Sequence, residues 1–276
     1  MPDLQIRTRL TYFVETPTSF AFSIVAARTP FQSVTSEQIS IISAGDNPWR
    51  MVPYGEGTHQ LIRLSAGPGE LEIAYDAEVA VNGQTAESAD LGQIPFADIP
   101  ADVLPYLNPS RYCESDMLGS FAQRHFGHTA PGHSRVQTVS DWVTGNLLYE
   151  AGSTDGTSSA ADVLLQRAGV CRDFAHVAIA LCRALGVPAR YVSGYGVGVE
   201  PQDFHGFFEA YIGTDWYLFD PTGMANANTL VRIGYGRDAA DAPFATLVGQ
   251  ASLTSKTITV DARGRVPTEP EATSTA

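Results

Sequence analysis

The stretch Gly169-Val170-Cys171-Arg172-Asp173-Phe174, running on through Ala175 to Gly186, constrains this chain more than any other. It reads as a loop that breaks into a helix. Gly169 gives the backbone freedom just ahead of the break. Asp173 puts a negative charge in the first turn, where the helix dipole favours it. Phe174, Val177, Ala178, Leu181 and Leu185 recur at spacings of three and four, the pattern of one buried helical face. Gly186 and Pro188 stop the helix. Cys171 therefore stands at a helix start, where unpaired backbone N–H groups stabilise a thiolate. A free cysteine is more often a small buried hydrophobe, so its chemistry depends on partners elsewhere in the chain.

The chain around this stretch has 276 residues, enough for one large domain or two with ample core. Its net charge of −13 argues against a nucleic-acid surface, which needs clustered Lys and Arg. The three cysteines, Cys113, Cys171 and Cys182, are too few and too scattered for a disulfide framework. Cys171 and Cys182 share the predicted helix and lie about 16 Å apart along its axis, too far to bridge. The first residues lack the basic flank and apolar core of a signal peptide. No apolar run approaches the ~20 residues of a membrane span. The expectation is a cytoplasmic protein without membrane or nucleic-acid partners, its thiols kept reduced.

Residues 1–84 read as an all-β domain. Leu4 to Leu10, Gln60 to Leu64 and Glu70 to Tyr75 alternate apolar and polar residues, and Phe20 to Val25 and Ile39 to Ile42 supply further short strands. Pro and Gly clusters separate them, so a small β-sandwich is expected. His59 stands alone there and reads as a solvated loop residue. Residues 85–115 carry a run of prolines in an apolar context, a connector that packs rather than a flexible linker. Residues 114–168 read as helices over 114–126, 136–149 and 161–167, with a polar loop at 151–159. His125, His128 and His133 lie close in sequence, but no Cys or carboxylate completes a metal site, and none is expected. Beyond Gly186 the pattern turns to strands at 189–197, 205–213 and 216–220, with a late strand at 253–260. The domain bounds expected are 1–84 for the sandwich, 85–115 for the connector, 116–265 for the catalytic domain and 266–276 for a disordered tail.

A nucleophilic thiol needs a base and a group that orients the base. If a two-residue turn closes the hairpin at Gly213-Thr214, position 212 faces 215 and 205 faces 222. Asp220 then shares a sheet face with His205, diagonally offset and within reach of long side chains. His176 is nearer Cys171 in sequence, but five residues rotate about 140° around the helix, so it points largely away. Cys171, His205 and Asp220 are thus the catalytic candidates. Arg172, Asp173 and Glu209 are candidate supporting residues, with Asp203 a further carboxylate near the base.

The motifs Gly169 to His176, Gly186-Val187-Pro188-Ala189-Arg190-Tyr191-Val192-Ser193-Gly194-Tyr195, His205 with Phe208-Glu209, and Asp220-Pro221-Thr222 resemble the bacterial transglutaminase-like superfamily. Its Cys, His and Asp motifs match Cys171, His205 and Asp220 in order. The resemblance implies an α+β fold with a papain-like core of helices on an antiparallel sheet, preceded by a β-domain. It also implies thiol-dependent acyl transfer on a peptide or amide substrate, with no cofactor. Water as acceptor makes the chain a protease, isopeptidase or amidase, the favoured expectation; an amine makes it a transglutaminase. A non-catalytic binding or scaffolding protein is the reading of another class. The family usually continues His-Ala-Trp-x-Glu, whereas this chain has His205-Gly206-Phe207-Phe208-Glu209.

Overall fold

The computed structural model describes residues 3–43, 45, 47–54, 58–264 and 272–276. In chain order the strands and helices are β1 (Asp3–Val14), β2 (Thr18–Phe22), β3 (Gln32–Ser43), β4 (Trp49–Tyr54), β5 (His59–Ala66), β6 (Gly69–Val81), β7 (Gln84–Ala86), α1 (Gly119–Phe126), α2 (His133–Asn146), β8 (Leu148–Tyr149), α3 (Ala160–Gln166), β9 (Ala168–Gly169), α4 (Cys171–Ala184), β10 (Ala189–Gly196), β11 (His205–Ile212), β12 (Asp215–Phe219), β13 (Leu230–Gly236), β14 (Ala245–Val248), β15 (Ala251–Arg263) and β16 (Ala272–Ser274).

Two four-stranded antiparallel sheets form the sandwich, in orders β15-β1-β6-β3 and β14-β2-β5-β4. The alternation along β1 buries Leu4, Ile6, Leu10 and Tyr12 against Phe20, Phe22, Ile62, Leu71 and Ile73. Each such side chain contributes roughly 1.5–3 kcal/mol when fully buried. The sandwich is not confined to residues 1–84. β14 pairs with β2, and β15 pairs with β1 along nearly its whole length. The late strand expected at 253–260 therefore belongs to the sandwich, and the expected bound of 265 for the catalytic domain is corrected: its last sheet strand is β13. Strand alternation reports a half-buried strand but not its partner, which is why the two bodies could not be separated by pattern.

The second body is the α+β core. Its sheet runs β12-β11-β10-β13, all antiparallel. On one face α4 lays Phe174, Val177, Ala178 and Leu181 against Tyr191, Phe208, Ala210 and Ile212, with α1, α2 and α3 around it. Helix periodicity in α4 and strand periodicity in β11 thus meet in one core. On the other face, Tyr195, Val231 and Ile233 pack into the sandwich. Polar ties cross the same contact: Tyr195 Oη donates to the Ile24 carbonyl at 2.6 Å, and Gln32 Nε2 donates to the Arg232 carbonyl at 2.9 Å. The connector folds into short 3-10 turns, and its Ile99 and Val103 pack against Trp216.

Several local expectations change. The helix expected from 114 begins at Gly119, and the one expected over 136–149 spans His133–Asn146, leaving Leu148–Tyr149 as a short strand. His59, expected in a solvated loop, is 1% exposed between Tyr54 and Tyr235, with ring centroids at 5.2 and 4.8 Å. Of the tail expected to be disordered, residues 266–271 lie outside the described residues. Ala272–Ser274 pairs antiparallel with β7, and its side chains are buried. Small side chains fit that narrow site, so a composition read as disorder serves close packing.

Candidate active site

β8 and β9 are parallel, with Tyr149 opposite Gly169, and this ladder delivers the chain to the start of α4. Asp173 folds back over that start: its Oδ2 accepts the Val170 N–H at 3.0 Å and the Thr154 hydroxyl at 2.5 Å. A Cβ at position 169 would fall 2.8 Å from the Asp173 Cβ, so only glycine lets the carboxylate cap the turn. Arg172 donates to Asp173 Oδ1 from Nε at 2.9 Å and Nη2 at 2.7 Å, and Nη2 also reaches the Asp155 carbonyl at 2.8 Å. These two candidate supporting residues therefore hold the polar loop against the helix start.

The hairpin has the register expected: Ile212 faces Asp215 and Phe208 faces Phe219, with no bulge between. His205 Nε2 lies 2.9 Å from Asp220 Oδ2. Asp220 is fixed in turn by the Thr222 N–H and hydroxyl on Oδ1, at 3.0 and 2.7 Å, and by the Ala225 N–H on Oδ2 at 3.0 Å. The carboxylate only accepts, so Nε2 carries a proton. The other ring nitrogen, Nδ1, is buried without a hydrogen-bond partner. Burial works against a charged His205, but the Asp220 charge and hydrogen bond, reinforced by Cys171, prevail and raise its pKa to about 10. Burial likewise opposes ionisation of Asp220, yet the His205 charge and the surrounding donors hold it below the usual carboxylate range.

Cys171 is half-buried and lines a cleft of about 400 Å³ together with Tyr112, Tyr191, Phe204, Phe244 and Lys256. Its Sγ sits 3.9 Å from the Phe204 carbonyl. Cys113 and Cys182 differ: both are buried, and desolvation pushes their thiols up to about 12. Gly206, the departure from the family motif, has a steric cause here. A Cβ there would lie 2.6 Å from the Tyr191 hydroxyl and 3.2 Å from the Arg172 Cα.

The other candidates lie elsewhere. Glu209 is fully buried and ion-paired with Arg190, Nε to Oε2 at 2.6 Å, and with Arg232; it supports the sheet and does not meet the thiol. His176 stacks on Tyr112 at 5.1 Å, its Nε2 accepts the Ala239 N–H at 3.1 Å, and burial lowers its pKa to about 4. His125 stacks on Phe121, and His133 packs against Phe219. Tyr149 was not a candidate in the sequence. Its pKa is raised by burial and then by Cys171, whose backbone and side chain both interact with its hydroxyl. Only its place two residues ahead of the polar loop hints at this contact. Lys256 was also overlooked, because its strand belongs to the other body.

Residues 120–221 match the family model for the transglutaminase-like superfamily. The whole fold is similar to a solved structure from Cytophaga hutchinsonii, a candidate cysteine protease by its description. That likeness has a TM-score of 0.92 at 39% identity and covers 98% of this chain and 93% of the other. Among curated relatives, an uncharacterised Mycobacterium leprae protein is 30% identical over 166 residues, 56% of this chain and 59% of the relative. An uncharacterised Mycobacterium tuberculosis protein is 31% identical over 157 residues, 50% of this chain and 48% of the relative. The chain thus spans about half the length of the curated relatives it matches. Together with the helix-and-sheet core just described, the full-length likeness and the match over 120–221 mean that this chain belongs to the transglutaminase-like superfamily.

Proposed function

We propose that the chain is a thiol hydrolase of peptide or carboxamide bonds, with Cys171 as nucleophile, His205 as base and acid, and Asp220 as the group that orients the ring. What carries the reading is one observation. Asp220 holds Nε2 of a buried His205 at 2.9 Å, leaving Nδ1 unpartnered, beside the cysteine that lines the cleft. The raised pKa of His205 favours an imidazolium next to a thiolate.

The thiolate attacks the carbonyl carbon, forming an Sγ–C bond and an oxyanion. The Cys171 backbone N–H at the start of α4 and the Tyr149 hydroxyl donate to that oxygen. The C–N bond breaks as His205 Nδ1 gives its proton to the departing amine. Water then attacks the thioester and passes its proton to His205, and the C–S bond breaks to release the acid. Asp220 stays ionised throughout and stabilises the imidazolium.

The experiment incubates the protein with a peptide and carboxamide library, with and without added amine, and identifies the acyl group on Cys171 by mass spectrometry. The expected result is an acyl-Cys171 adduct that decays to a free acid, absent in His205→Ala. An amide product formed with the added amine would replace the hydrolase with a transglutaminase. No adduct, with Cys171 labelling by iodoacetamide no faster than Cys113 or Cys182, would sink the enzyme reading in favour of a binding protein.

A further inference from the structure

Lys256 is the only lysine in the chain, and it comes from a sandwich strand, β15, to line the thiol cleft of the core. There it is ion-paired with Asp203. Both side chains are more than a third exposed, 38% and 37%, so solvent screens the pair and it breaks readily.

The two partners are not equivalent. Asp203 is anchored: its Oδ1 accepts the Phe204 N–H at 2.7 Å, and the Phe204 carbonyl faces the Cys171 Sγ at 3.9 Å. The carboxylate is thus built into the backbone that leads to His205. Lys256 reaches it on a flexible four-carbon stem. A fixed anion with a mobile cation exchanges cations readily, while an incoming carboxylate meets the anchored charge of Asp203. The other cation on the cleft wall, Arg172, is already engaged by Asp173 and the Asp155 carbonyl. Phe204 and Phe244 stack at 4.2 Å beside the pair and offer an apolar bed for an alkyl stem. The net charge of −13 adds long-range attraction for cations.

From this geometry we infer that Asp203 selects substrates carrying an ammonium or guanidinium group beside the reacting carbonyl, and that Lys256 stands in for that group in the free protein. The inference rests on the thiol reading of the site given above. It makes Asp203 a specificity residue and gives the β-sandwich a part in forming the substrate cleft.

The test compares Cys171 alkylation by 2-bromoethylammonium with alkylation by iodoacetamide, which needs an accessible thiol but no turnover. Asp203→Asn lowers the cationic-to-neutral rate ratio roughly two- to fivefold, the range of an exposed ion pair, and Lys256→Met raises it. Peptide amides carrying Lys, norleucine or Glu beside the reacting carboxamide rank Lys first with the unmodified protein, and Asp203→Asn abolishes the ranking. A Glu-first ranking, or an alkylation ratio that Asp203→Asn leaves unchanged, overturns the assignment. Alkylation ratios that follow the expectation while no peptide amide is turned over would overturn acyl transfer and leave the selectivity of Asp203 standing.

Discussion

Gly206→Ala installs the residue that the family usually carries after its histidine, and in this chain it should be harmful. The added Cβ would sit 2.6 Å from the Tyr191 hydroxyl, 3.0 Å from its Cε2 and 3.2 Å from the Arg172 Cα. Tyr191 is 2% exposed and packed among core residues, so it has little room to retreat. Overpacking of this kind costs about 1–3 kcal/mol, which for a chain of this size lowers Tm by roughly 2–12 °C. Because the second obstacle is the backbone beside Cys171, the helix start moves too, and iodoacetamide labelling of Cys171 slows below the unfolding temperature. Tyr191→Phe removes the nearest obstacle. The double variant should recover about 1 kcal/mol or more relative to the sum of the single effects, measured by urea denaturation. Effects that add within about 0.5 kcal/mol would show that the hydroxyl is not what the Cβ meets, and the steric account of the altered motif would be wrong.

Two further predictions concern the site and its surroundings. Tyr149→Phe should lower kcat by about 10²–10³-fold, the cost of losing one oxyanion donor, with little change in iodoacetamide labelling; a KM effect alone would assign Tyr149 to substrate binding. Stability should fall toward both pH extremes, read as the urea midpoint against pH. His205 has a folded pKa of about 10 against an ordinary 6.5, so its contribution is complete below pH 6.5 and is lost as pH rises through 10; Asp220→Asn flattens that limb. His176 and His59 are buried with pKa values near 4, so below pH 6.5 the unfolded chain binds protons that the folded one does not, and stability declines down to pH 4. His176→Gln should shrink that acid limb, and an unchanged slope would refute a neutral buried His176.

Local features were legible where a single element decides them. The spacing of Phe174, Val177, Ala178 and Leu181 marks the buried face of α4, and the Gly213-Thr214 turn fixes the register that brings Asp220 to His205. What could not be read is what depends on distant partners. His59 is buried only because Tyr235, far along the chain, closes over it. Glu209 looked like a neighbour of the base by sequence, but Arg190 on β10 and Arg232 on β13 draw it into the sheet. Tyr149 reaches Cys171 through a two-residue parallel ladder too short to leave a periodic signal. Lys256 carries no mark of the cleft, because it sits in a run of exposed residues on a strand whose pairing partner is β1.

The pairing of β1 with β15 bears on how the chain is made. During synthesis β1 finds one neighbour, β6, early, but its other edge stays open until β15 is made. The whole core is threaded between them, as an insertion in the sandwich. An exposed edge of this kind is a template for mispairing, so the interval before β15 emerges is when this chain is most prone to aggregate. Once the ladder closes, the core is tethered to the sandwich at both of its ends, and the two bodies cannot hinge apart as beads on a single linker can.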